Sequence, residues 1–255
     1  MVGDVVGKPG RRAVTTLLPQ LRQELDTDLV IANGENAAAG RGLTMSTADE
    51  LFEAGVDVIT SGNHIWDQKE ILPFLEGEAP IVRPYNYPPG TPGAGIVEVN
   101  GVTVLNLQGR TFMPSLDCPF RAADVALDSV KPGSRVIVDM HGEATSEKVA
   151  IGWYLDGRVA AVLGTHTHVG TVDARVLPKG TAFVCDVGMV GARNSVIGDD
   201  VDAVISRFLT QLPTRLPVAD GRPGAIFNSV FIEIDDVCGA ARRIVRVDRE
   251  LENYE

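Results

Sequence analysis

The chain contains four histidines, His64, His141, His166 and His168, and each follows a run rich in Val or Ile, in SGNH, VDMHGE and GTHTH. Asp4 in MVGDVVG and the pair Glu35 and Asn36 in IANGENAAAG stand at the same kind of position. Carboxyl ends of strands are where open α/β sheets assemble their sites. One histidine at such a place is often an ordinary half-buried side chain, but several strand ends converging on one ligand chemistry are harder to explain that way. Imidazole nitrogen mixed with carboxylate and amide oxygen suits first-row ions such as Mn, Fe, Co, Ni or Zn; Ca prefers an all-oxygen cage and structural Zn favours thiolates. The donors suffice for two ions. A carboxylate bridging two metals about 3.5–4 Å apart is the arrangement that polarises a phosphate and generates a hydroxide nucleophile. In THTH at 165–168, residues i and i+2 of an extended chain point the same way, so His166 and His168 are expected to face one site; two polar residues in a surface turn are the other reading of that pair.

The elements that must position these residues are readable from hydrophobic patterning. Continuous apolar runs at 28–32, 56–61, 135–140, 159–165 and 181–187 suit central strands covered on both faces. Helix-like segments lie between them, roughly Pro9 to Leu25, Ser46 to Ala54 with Ser46 as N-cap, Asp67 to Leu75, and Ser146 to Leu155. Asn100-Gly101 between two alternating runs predicts a tight hairpin, and a second hairpin is expected where NSVFIEID and RRIVRVD flank a short connection. Alternating strands and helices with antiparallel additions imply an α/β fold in which mixed β-sheets pack between α-helices. Only Met1, Val2 and Gly3 precede Asp4, fewer than a strand of about 5–6 residues needs, so the first strand is expected to lack upstream residues.

A chain of 255 residues can bury one large core, and residues 1–255 are read as a single domain. Its net charge of -11 argues against a broad basic surface for nucleic acid or anionic lipid, though bound cations can make a site electropositive on an acidic protein. Cys118, Cys185 and Cys238 have no metal-ligand spacing and an odd count, which fits reduced thiols. With no secretory n-region and no apolar run of about 18 residues, the expected location is the cytoplasm, away from the membrane. The glycine-rich segment at 34–44 could bring backbone close to a phosphate with Arg41 as anion partner, but it lacks the Lys-Ser/Thr pair of a nucleoside triphosphatase loop.

GNH at 62–64, a distant lone His141 and then GTHTH together resemble the calcineurin-like metallophosphoesterases. The segments GDVVGKPGR, ANGENAAAGRGLT, TSGNHIWD, RPYNYPPGTPG, DMHGEATSEK and GTHTHVGTVDARVLPKGTAFVCDVGMVG are similar, over nearly the whole chain, to the YmdB-like branch of bacterial phosphodiesterases. The resemblance implies hydrolysis of 2′,3′-cyclic and related cyclic nucleotides, two divalent or mixed-valence transition-metal ions (Fe and/or Mn), and homo-oligomerisation. It further implies that Asp4, Glu35, Asn36 and His168 hold one metal, that Asn63, His141 and His166 hold the other, and that Glu35 bridges. The broad superfamily has Asp-x-His in its first motif and a bridging Asp; here Val6 and Glu35 stand instead, with Asn36 replacing the lost imidazole. His64, beside Asn63, is the expected general acid for the leaving ribose oxygen. Asp67 is placed to orient His64, and Asp139 or Glu143 to orient His141. Tyr85 and Tyr87 could offer an aromatic surface to a base, with loop packing as the alternative. A phosphomonoesterase or 5′-nucleotidase, or a regulatory binding protein that retains the metals, would use the same centre.

Overall fold

A computed structural model describes residues 1–252. The first half of the chain runs β1 (Val2–Val5), α1 (Gly7–Glu24), β2 (Ile31–Asn33), α2 (Met45–Glu53), β3 (Val58–Thr60), α3 (Leu72–Leu75), β4 (Ile96–Val99), β5 (Val102–Gln108) and α4 (Pro119–Ser129). The second half adds β6 (Arg135–His141), α5 (Thr145–Leu155), β7 (Ala161–Thr165), β8 (Arg175–Val176), β9 (Ala182–Val184), β10 (Met189–Ala192), α6 (Val201–Thr210), β11 (Gly224–Phe227), β12 (Val230–Ile234), β13 (Ala241–Arg246) and β14 (Arg249–Glu252).

One six-stranded sheet has the order β14-β11-β10-β1-β2-β3, parallel from β10 to β3. The other has the order β4-β5-β6-β7-β9-β8, parallel from β5 to β9 with antiparallel edges. Apolar residues of both sheets meet between them, among them Ile31, Val58, Val104, Ile137 and Leu163. On the outer face of the first sheet, Ala32, Ile59 and Val190 pack under Val14, Leu18 and Leu51 of α1 and α2. On the outer face of the second, Leu105, Val138 and Phe183 pack under Ala123 of α4 and Ile151 of α5. This is the expected α/β fold, with helices outside and mixed sheets within.

The period of two along each strand explains where the site lies. Inward positions begin apolar and end polar: Ile31 then Asn33 in β2, Val58 then Thr60 in β3, Ile137 then Asp139 and His141 in β6, Leu163 then Thr165 in β7. The sheets therefore sandwich an oily layer at one end and a buried polar layer at their carboxyl ends.

Local details depart from the sequence reading. The four residues of β1 do form a strand, paired parallel on both sides, and Asp4 lies within it rather than after it. The N-cap of α2 is Thr44, not Ser46: its hydroxyl accepts from Thr47 N–H while the Thr47 hydroxyl caps Thr44 N–H, a reciprocal capping box. Thr44→Ala is expected to lower unfolding free energy by about 1 kcal/mol in urea titrations, with Ser46→Ala close to neutral. The segment 67–75 forms only a 3₁₀ turn at Lys69–Ile71 and the short α3. Helices α4 and α6 were not anticipated. Both hairpins form, the first with Asn100 at φ 52° and Gly101 at φ 73°, the left-handed pair that a two-residue turn demands. The three thiols are free, and among the described residues no helix is long and apolar enough to cross a membrane.

Candidate metal centre

His141 is the last residue of β6 and is fully buried. Its Nδ1 lies 2.9 Å from the Thr165 hydroxyl, which itself donates to Asp139 Oδ1 at 2.7 Å. The Thr165 oxygen therefore accepts from Nδ1–H, and Nε2 is turned into the site. Asp139, also held by Asn33 and the Thr60 hydroxyl, thus orients His141 through Thr165 rather than by direct contact. Glu143, the other expected orienting group, pairs instead with His166 Nε2 at 3.2 Å.

Around His141 Nε2 converge Glu35 Oε1 at 3.0 Å, His166 Nδ1 at 3.0 Å and Asn63 Oδ1 at 3.2 Å. One proton can serve only one of these acceptors. Glu35, His141 and His166 offer ligand atoms that all lie within 4.8 Å of one another, and among the described residues no other three His, Cys, Asp or Glu side chains gather so closely. Gly62 makes the approach possible, since a Cβ there would fall 2.1 Å from His141 Cδ2.

Asp4, Asn36 and His168 do not belong to that tight cluster. Asp4 Oδ2 accepts from His166 N–H at 3.2 Å, while its Oδ1 is buried without any hydrogen-bond partner. Asn36 donates through Nδ2 to Gly40 O at 3.0 Å, which fixes its amide and leaves Oδ1 buried and equally unpartnered. His168 gives Nδ1–H to Ile197 O at 2.7 Å, freeing Nε2, and it is the first of the side chains that act to pull the Asp4 carboxyl back down. Two orphaned oxygens and a free imidazole nitrogen are what a second cation would use. The residues present fit the implied metals.

Electrostatics point the same way. Burial pushes Asp4 up to about 7, against the pull of His168 and His141. Burial also opposes the charges of Glu35 and His141, yet their mutual attraction wins, holding Glu35 down to about 2 and His141 up to about 9. Burial and the neighbouring His141 charge drive His166 down to about 3, so it stays a neutral donor. A buried centre with two carboxylates is completed by positive charge.

His166 and His168 do not converge by lying in extended chain. Both have positive φ, 98° and 66°, and belong to a tight turn after β7, so the reason anticipated from THTH is replaced by an unusual backbone. His64 stands at the rim, its N–H donating to Glu35 Oε2 at 3.0 Å and its Nδ1 2.8 Å from Asp67 Oδ2, the orientation expected of that pair. Arg41 is exposed, and the carboxylate its charge reaches is Asp199. Tyr85 packs against the core beneath the second sheet, whereas Tyr87 meets Trp66 edge-on at 5.4 Å. Asn33, Thr60 and Thr165, which build the support under His141, were missed; their signal was the apolar-to-polar switch at one parity of each strand.

The profile of the YmdB-like protein family matches residues 1–247. The 2′,3′-cyclic-nucleotide 2′-phosphodiesterase of Bacillus subtilis is 49% identical over 251 residues, covering 96% of this chain and 94% of the relative. A crystal structure of a hypothetical protein from Thermus thermophilus superposes with a TM-score of 0.91 at 48% identity, covering 98% of each chain. A phosphatase structure from Mycoplasma pneumoniae gives 0.91 at 35% identity, over 99% of this chain and 92% of that one. Buried donors at the carboxyl ends of facing sheets, a matching profile and near-full-length relatives lead to one assignment: the chain belongs to the YmdB-like family.

Proposed function

We propose that this protein is a two-metal phosphodiesterase acting on 2′,3′-cyclic and related cyclic nucleotides. The observation that carries the reading is the convergence of Glu35, Asn63 and His166 on His141 Nε2, beside the unpartnered oxygens of Asp4 and Asn36. In this reading Asn63, His141 and His166 hold one ion, Asp4, Asn36 and His168 the other, and Glu35 serves both. Residues 1–255 act as one domain, because the donors run from Asp4 to His168 and come from both sheets. Two transition-metal ions, Fe and/or Mn, supply phosphate charge neutralisation and an activated water when bound. The chain supplies the rest. Thr165 and Asp139 fix the His141 ring. His64, aligned by Asp67, is the proton donor to the leaving oxygen.

Without a cation the His141 proton takes its place beside Glu35. Metal uptake at neutral pH is therefore expected to release the His141 proton and, because burial holds Asp4 up to about 7, part of a second one. Calorimetry of Mn²⁺ binding in buffers of different ionisation enthalpy reads this directly; heats independent of buffer would contradict it.

The substrate class rests on the Bacillus subtilis relative, whose name specifies it. Parallel assays with 2′,3′-cyclic AMP, 5′-mononucleotides and a phosphopeptide test it. Hydrolysis of the cyclic diester well above the two monoesters is expected, and the reverse order would make the centre a phosphomonoesterase.

A further inference from the structure

Lys148 of α5 is a buried ammonium that the proposed chemistry leaves unused. Its Nζ donates to Asp186 Oδ2 at 2.7 Å and to the Thr165 carbonyl at 3.4 Å. The same Asp186 oxygen accepts from Thr167 N–H at 3.1 Å and from the Thr167 hydroxyl at 2.6 Å, while Asp186 Oδ1 accepts from Gly188 N–H at 2.8 Å. Buried ion pairs are weak devices for stability, because apolar side chains of equal size often do as well. The location of this pair is more informative than its energy. Its anchor points, Thr165 and Thr167, bracket His166, and Thr167 is bonded directly to His168 in the chain. Both histidines hold positive φ, 98° and 66°, an uncommon backbone for a residue with a Cβ that neighbouring contacts help to hold.

We infer that Lys148, Asp186 and Thr167 are positioning residues, a buried clamp that locks the 165–168 turn so that His166 meets the Glu35–Asn63–His141 cluster while His168 is held beside Asp4. The inference rests on the two-ion reading and adds a consequence to it. One clamp serves both metal positions, so loosening it weakens both together, whereas removing either histidine takes a ligand from one.

Thr167→Val keeps the ion pair and the side-chain shape but deletes the hydroxyl bond; Thr167→Ser keeps that bond. Lys148 or Asp186 changed alone leaves a lone buried charge, so the second test is the double variant Lys148→Met, Asp186→Asn, which removes both charges. Each full-length, metal-free protein is titrated with Co²⁺ and followed by its visible absorption, with thermal unfolding measured alongside. Thr167→Val and the double variant are expected to weaken Co²⁺ binding about tenfold or more at both positions and to alter the absorption bands, and Thr167→Ser to restore them. Thr167→Val should do so with the metal-free protein still fully folded at the titration temperature, its melting temperature lowered by the lost bond and recovered in Thr167→Ser. Wild-type affinity and bands in both disrupting variants, or weakening at one position only, would overturn the clamp. A wild-type protein that takes up no Co²⁺ would instead defeat the two-ion reading itself.

Discussion

Glu35→Gln is expected to lower hydrolysis of 2′,3′-cyclic AMP by at least about 10³-fold and to lower bound metal from two ions toward one or none. The argument is one of charge and place. Glu35 is 1% exposed, its Oε1 points to His141 Nε2, and its Oε2 accepts the His64 N–H. Gln keeps the shape but offers a neutral oxygen and a donor where an anion stood. Stabilising phosphoryl charge in a dry site depends on fixed electrostatics, and loss of a single such element commonly costs about 10²–10³ in rate. Loss of a shared ligand removes more. Metal analysis and turnover on the same preparation check this; full metal content with turnover within tenfold of wild type would mean that Glu35 is not shared.

His64→Ala should separate the other half of the chemistry. Its side chain is oriented by Asp67 and does not join the atoms converging on His141. Turnover of the cyclic nucleotide is expected to fall about 10²–10⁴-fold with metal content and KM little changed, the range usual for loss of general acid–base catalysis. A diester with a p-nitrophenolate leaving group needs little protonation, so its loss should be much smaller. Equal losses on both substrates, or parallel loss of metal, would remove His64 from the acid role.

The layered fold was legible because its central strands are continuous apolar runs, and the convergence of Glu35, Asn63, His141 and His166 was legible because rare residue types mark strand ends. Less of the supporting geometry could be read. Thr60, Thr165 and Asn33 look like ordinary strand termini until strand parity shows that they succeed Val58, Leu163 and Ile31 on the inward face. The backbone of His166 and His168 was misjudged because alternation in sequence says nothing about φ, and Thr167 between them is held by Asp186, 18 residues beyond His168. Glu143 was assigned to His141 by proximity along the chain, but His141 ends a strand and Glu143 has already turned toward His166. Helix α6 was legible and was passed over: Val201, Val204, Ile205, Phe208 and Leu209 recur at helical spacing, yet Phe208 and Leu209 are exposed, 74% and 80%, so most of the stripe turns away from the core.

The most direct test of the central claim is anomalous diffraction from crystals grown with Mn²⁺. Two anomalous peaks are expected about 3.5–4 Å apart, with Glu35 between them, one also contacted by Asn63, His141 and His166 and the other by Asp4, Asn36 and His168. Peaks elsewhere on the chain, or none at this centre in a folded and Mn²⁺-saturated protein, would contradict the account.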